Sequence, residues 1–398
     1  MKGIVHAHME QLAAGVKRLL PPSLAPLFDA GFTRSHVLFD EYVVRLTAQV
    51  FRASGLEAAI AHWSGVDDVV ARAGLDPRVS RVPVDWILRH LAARRLIERD
   101  DALPRPRFRC SRPISADDPG AILAEQRVHE PACLPSYALA ETAAREYPEF
   151  LRGKRSGDEI LFSPTRLSLW TNYFSNDNTL YAVNNRVGAV ALEGWMAPGP
   201  TEILELGGGL GSGAVAVLNH LTEVGRLGEL RGYRFTELVP AFLRRAQRLQ
   251  ERFPGLQSLT FAPLDMNRPF GEQGVAPRSV SIVYAVNTLH VAHDLAATLA
   301  EVRRTLAPGG QLVVSECLRP LPGQTLYPEF VFNLLETFRA PRLDPDQRPN
   351  GGFLTPTQWT KALVAAGFHD VRVFPDVSRI REVVADFCVG AIGARVSS

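Results

Sequence analysis

The sequence predicts an α/β protein, with a Rossmann-like, doubly wound parallel sheet in its C-terminal half and a mostly helical chain before it. Three observations lead there. From Thr201 onward short apolar, β-branched runs alternate with helical segments, the pattern of strand–helix–strand units. Between Phe39 and Leu96 the apolar residues recur at helical spacing instead. The 398 residues exceed one ordinary domain, and 46% hydrophobic against 22% charged residues is the balance of a chain able to bury a full core.

Three segments follow. Residues 1–120 read as short helices and a two-stranded tip: apolar periodicity over 39–51, a longer amphipathic helix over 84–96 containing Trp86, Ile87, Leu91 and Leu96, then two short strands at 96–99 and 107–110 flanking a turn with Pro104 and Pro106. Residues 121–200 read as helical and unusually aromatic. Two readings of this stretch stand side by side: a linker that packs its rings against a core, and a lid over a pocket whose wall is Trp170, Tyr173, Phe174, Asn178 and Tyr181. Residues 201–398 hold the sheet, with strands expected at 201–206, 233–238, 259–264, 280–286 and 311–315, and helices at 239–253 and 294–306 between them. A further excursion spans 326–353, either a wall of the pocket or a packing element. Thr355 then caps a helix whose first residue is Pro356.

The residues with the most chemical content lie at strand ends. Glu205-Leu206-Gly207-Gly208-Gly209-Leu210-Gly211 closes the first strand and opens a helix. Glycine permits positive φ and lets a ligand approach where a Cβ would stand. The glycines alone also fit a dinucleotide turn, since Gly209, Gly211 and Ala214 satisfy G-x-G-x-x-A. Glu205 decides against that: a carboxylate at the turn repels a pyrophosphate and attracts a cation. Glu237 ends the second strand and Asp265, with Met266 beside it, ends the third. Three acids at successive strand ends lie where open α/β sheets bind ligands.

The pattern at Glu205, Gly207, Gly208, Gly209 and Gly211 resembles motif I of class I S-adenosylmethionine-dependent methyltransferases, and the later acids follow in that family's order. The resemblance covers residues 201–370 and implies a Rossmann-like sheet with S-adenosyl-L-methionine as cofactor. It implies Glu237 on the ribose hydroxyls, Asp265 on the adenine amino group, Met266 against the ring, and Asn287 at the cofactor's side of the pocket. Asn287-Thr288-Leu289-His290, together with Glu316, is similar to the carbon-methylating domains of polyketide synthases. That likeness implies His290 as a general base supported by Glu316, suited to a carbon acid next to a carbonyl. The first segment resembles, more loosely, the winged-helix domain of small-molecule methyltransferases, which implies a homodimer.

Other classes are weighed on the same residues. One rival is an S-adenosylmethionine cyclase that closes azetidine-2-carboxylate and releases methylthioadenosine. Another is a cofactor-sensing DNA-binding regulator using Arg89, His90, Arg94 and Arg95. A net charge of +2 gives no support to nucleic acid or an anionic membrane as partner. The cysteines, Cys110, Cys133, Cys317 and Cys388, form no CxxC pair and suggest neither a zinc site nor a disulfide frame, and nothing calls for a metal. His6, His8, Glu10 and Lys17 interrupt any signal-peptide core, and no apolar run reaches about 20 residues. The expected compartment is the cytoplasm. With no carrier or ketosynthase segment in the sequence, the expected substrate is a small molecule or a natural-product intermediate on a carrier protein met in trans.

Overall fold

A computed structural model describes residues 2–102, 105–115, 117–256 and 258–398. It divides the chain into two units. One comprises Gly31–Tyr173 and Gly323–Arg339; the other takes the chain up to Ala30, Phe174–Pro322 and Ala340–Ser398. These units cut the chain elsewhere than at residues 120 and 200, because segments distant in sequence complete each core.

The helical periodicity of the first half folds as the long helix Ala30–Ala53, then Val66–Arg72 and Pro77–Ala93, with Leu134–Leu151 further on. Asp76 caps Pro77–Ala93 by accepting the Arg78 N–H at 3.0 Å, with proline at the first helical position. Strands β1 (Glu98–Asp100) and β2 (Arg107–Arg109) pair antiparallel, with Arg99 opposite Phe108. Pro104, expected in the turn between them, lies outside the described residues. Much of the aromatic content is spent on this core: the Tyr42 and Tyr137 rings lie 4.6 Å apart. Residues 323–339 belong here as well. The Trp86 indole donates to Glu329 Oε2 at 2.9 Å, and the Tyr147 hydroxyl donates to the Phe330 carbonyl at 2.6 Å. For that part of the excursion the packing reading holds.

In the other unit the strands are β3 (Thr201–Leu206), β4 (Leu230–Thr236), β5 (Leu259–Ala262), β6 (Val280–Val286), β7 (Leu306–Cys317), β8 (His369–Phe374) and β9 (Val389–Arg395). They form one sheet in the order β5-β4-β3-β6-β7-β9-β8. The first five pair in parallel, while β9 runs antiparallel between β7 and β8. Thr179–Trp195 lies on β6, β7 and β9 beside Ser212–Glu223, and Leu295–Thr305 and Pro356–Ala365 cover β7 to β9. Strands so covered are apolar throughout, as Ile282, Val283, Tyr284 and Ala285 are, all buried.

Two local differences have clear causes. The segment 306–310, which falls between the helix expected to end at 306 and the strand expected from 311, is a bulge inside β7: Val280 pairs with Leu306, but Ile282 pairs with Gln311. The last strand, β9, carries no alternating signal because both its faces are buried and its residues are small. The chain leaves β3 toward β4 and β5 and then crosses to β6, so the crevice at the carboxyl ends of β3 and β6 is the switch point where such sheets take ligands.

Candidate functional site

The glycine turn joins β3 to the helix Ser212–Glu223 at this crevice. Gly209 has φ +59°, and a Cβ built there meets no atom within 4 Å. Its neighbours are tight for internal reasons: a Cβ on Gly207 would stand 2.4 Å from Thr288 Cγ2, and one on Gly208 would stand 2.2 Å from the Phe235 ring. The turn is therefore clamped from below by Thr288 and Phe235 and is open at Gly209.

Glu205 sits under that turn and is 1% exposed. The Tyr233 hydroxyl donates to its Oε2 at 2.9 Å. Burial pushes its carboxyl up to about 8, against the opposing effect of the tyrosine bond, and the nearby Glu237 adds to the rise. The attraction expected of a fixed carboxylate thus changes character: at neutral pH Glu205 is protonated, and a cationic ligand is what would ionise it. Glu237 follows β4 directly and accepts the Gly209 N–H at 2.8 Å and the Val239 N–H at 2.7 Å. Burial raises its pKa, and those amide bonds oppose the rise. Asp265 stands three residues beyond β5, half-buried, with Oδ1 accepting the Asn267 N–H at 2.9 Å. Met266 is partly buried beside it, and its carbonyl accepts the Thr298 hydroxyl at 3.0 Å.

Asn287 leaves β6 with φ +47°, a conformation asparagine tolerates better than most residues. Its side-chain oxygen accepts the Cys317 N–H at 3.0 Å and an Asn184 amide N–H at 2.9 Å, which ties the ends of β6 and β7 to the helix Thr179–Trp195. The short turn Leu289–Val291 then carries His290, 4% exposed. His290 Nδ1 lies 2.7 Å from Glu316 Oε2, and the His290 N–H donates to Oε1 at 3.3 Å. Glu316 is fully buried in β7. The Phe353 ring lies 4.4 Å from the imidazole, and the Arg348 guanidinium donates to the carbonyls of His290 and Ala292.

The residues expected in the pocket wall separate. Phe174, Asn178 and Tyr181 belong to the unit with the crevice. Phe174 meets Tyr181 edge-on at 5.0 Å, its carbonyl accepts the Ser212 hydroxyl at the start of the glycine-turn helix, and Asn178 is buried as the N-cap of Thr179–Trp195. Trp170 and Tyr173 belong to the other unit. There Trp170 is 1% exposed, donates to the Leu161 carbonyl at 2.6 Å and stacks on Phe162 at 5.2 Å. Residues to which the sequence reading assigns no role at the site are Asn184, Asn185, Thr288 and Arg348. Two consecutive amides inside an apolar helix were the available signal, since buried asparagine needs partners. Asn184 is buried, and its Oδ1 has no hydrogen-bond partner.

Three of the four DNA-contact candidates are engaged inside their own unit, and Arg95 is exposed. Arg89 pairs with Asp85 at 2.7 Å, and Arg94 pairs with Asp40. His90 is buried against Trp86, and burial pulls it down to about 3.

Residues 204–312 match the family described as a methyltransferase domain. A highly reducing polyketide synthase of Gibberella zeae is 29% identical over 242 residues, 59% of this chain and 9% of that protein. Polyketide synthase ThaG of Burkholderia thailandensis is 31% identical over 245 residues, 60% of this chain and 4% of that protein. The chain thus spans less than a tenth of the length of these relatives. Among solved structures the CurJ carbon methyltransferase superposes with TM-score 0.77 at 23% identity, covering 99% of both chains, a likeness of fold.

Sheet order, glycine turn and matched segment agree: residues 204–312 carry a methyltransferase domain, and its architecture resembles that of class I S-adenosylmethionine-dependent enzymes. In sequence it is similar to segments of polyketide synthases, and in fold to the CurJ carbon methyltransferase. The residues present suit the cofactor. The opening at Gly209 admits a ligand, Glu237 keeps lone pairs for hydroxyls, and the orphaned Asn184 Oδ1 offers a further acceptor.

Proposed function

We propose that this protein methylates the α-carbon of a carrier-bound acyl intermediate of polyketide type, with His290 as general base and Glu316 as its support. The observation that carries the reading is the 2.7 Å contact between His290 Nδ1 and Glu316 Oε2, both side chains shut off from water. A carboxylate has only acceptors to offer, so Nδ1 holds the proton of that bond and Nε2 keeps the lone pair. His290 Nε2 takes the proton of the acidified carbon, and Glu316 stabilises the imidazolium that results. S-adenosylmethionine, when bound, supplies the electrophilic methyl group and leaves as S-adenosylhomocysteine. Glu237 and the backbone at Gly209 would hold its adenosine side, with Asp265 and Met266 as further partners. Asn287 fixes the floor between the two halves of the site, and Phe174, Asn178 and Tyr181 line it.

The polyketide-synthase relatives support a carrier-bound substrate, since such enzymes keep their intermediates on carriers. The proposal extends to a homodimer formed through the N-terminal segment. Light scattering at micromolar concentration tests that part, and a monomer rules it out.

The by-product tests the reaction. Methyl transfer breaks only the bond from sulfur to the methyl carbon, so S-adenosylhomocysteine must accumulate, and only when an acceptor thioester is present. Methylthioadenosine formed from S-adenosylmethionine alone would overturn the proposal in favour of the cyclase.

A further inference from the structure

Arg348 is 2% exposed, yet no carboxylate lies within ion-pair distance of it among the described residues. Its two terminal nitrogens go to main-chain carbonyls, Nη2 to His290 and Nη1 to Ala292, and Nε has no partner. A buried guanidinium that gives up water for two carbonyls is unfavourable unless it fixes something. What it grips is the turn that carries His290. Its own anchorage is firm: Asp344 and Arg348 exchange backbone hydrogen bonds at 2.9 Å each, and Asp344 Oδ1 accepts the N–H groups of Asp346 and Gln347 at 2.9 and 2.8 Å. Glu316 and Asp294 are the acidic groups whose fields reach it, and Asp294 is already paired with Arg342 at 2.7 Å. Burial lowers its pKa to about 10, so it stays charged at neutral pH.

We propose that Arg348 is a positioning residue for the base: by holding the carbonyls of His290 and Ala292 it keeps the imidazole on Glu316. The proposal rests on the reading of His290 and Glu316 as the base pair. A planar fork spans two carbonyls at fixed separation, which an ammonium on a flexible stem cannot reproduce. The segment that supplies Arg348 also supplies Phe353, so one loop orients the imidazole through both its main chain and its ring face.

The test uses Arg348→Met and Arg348→Lys in the full chain, with an acetoacetyl thioester of N-acetylcysteamine as acceptor. The proton of the His290–Glu316 bond is observed as a far-downfield NMR resonance, assigned by its loss in His290→Ala. Expected for Arg348→Met are a kcat lowered about 10–100-fold, a shifted or lost downfield resonance, and a Kd for S-adenosylmethionine within twofold of wild type. Arg348→Lys should fall between. Should the methionine variant fail to fold, the lysine variant carries the same readouts. An unchanged resonance with unchanged kcat overturns the proposal, as does a kcat loss matched by an equal loss of cofactor affinity. Failure of the underlying base-pair reading looks different: the His290→Ala variant would then methylate as fast as wild type.

Discussion

The Tyr233 hydroxyl donates to Glu205 Oε2 at 2.9 Å in a place where neither side chain meets water. Each strand contributes one partner, β3 the acid and β4 the phenol, in a parallel pair where Ile203 faces Tyr233 and Glu205 faces Phe235. The bond satisfies the acid without supplying positive charge, which is why burial dominates and the carboxyl is held up near 8.

Stability should therefore depend on pH through Glu205. Below the ordinary value of 4.5 the folded and unfolded chains both hold this proton; between 4.5 and about 8 only the folded chain does. Unfolding then releases a proton, so stability falls as pH rises across that window, by at most about 1.4 kcal/mol per pH unit. Urea unfolding of wild type and Glu205→Gln from pH 5 to 8 checks this. Parallel curves for the two proteins would mean that Glu205 ionises normally.

Glu237→Ala should weaken S-adenosylmethionine binding and loosen the glycine turn together. It removes the acceptor of the Gly209 and Val239 N–H groups, and bonds to a charged acceptor contribute about 1.5–3 kcal/mol each. Gly209→Val should fold with a backbone cost of about 1–2 kcal/mol for its left-handed φ. It should nevertheless lose the cofactor, because its side chain enters open space and not protein. Calorimetric Kd values unchanged in both variants would remove the cofactor from this edge.

His290→Ala and Glu316→Gln should slow methyl transfer to carbon by about 10²–10⁴ and by a smaller factor, respectively. Cofactor affinity should hold in both. Rates measured by mass spectrometry of the methylated thioester decide it, and wild-type turnover in His290→Ala would assign the imidazole a structural role.

Gly393→Val should destabilise the sheet by about 1–3 kcal/mol. A Cβ there would lie 2.0 Å from the Trp195 ring, which the guanidinium groups of Arg372 and Arg395 also flank at 5.5 and 5.6 Å. Adding Trp195→Ala should return part of the loss. Thermal melts in which the single variant matches wild type would show that the indole moves aside at little cost.

By itself the sequence determined the first five strands of the sheet, the glycine turn and the candidate acids, because these depend on local periodicity and on residue types fixed at strand ends. Glu205, Glu237, His290 and Glu316 were all nameable from spacing and family likeness. Tertiary structure decided what the side chains do in common. The imidazole and carboxylate of His290 and Glu316 meet because β6 and β7 are neighbours in the sheet, 26 residues apart in the chain. Arg348 reaches the same turn from 58 residues away, with no local pattern to announce it. Trp170 and Phe174, close in sequence, fall into different units because each ring is claimed by a different core. Glu205 carries its charge on paper and loses it on folding, since desolvation depends on what closes over a residue and the sequence around it does not record that.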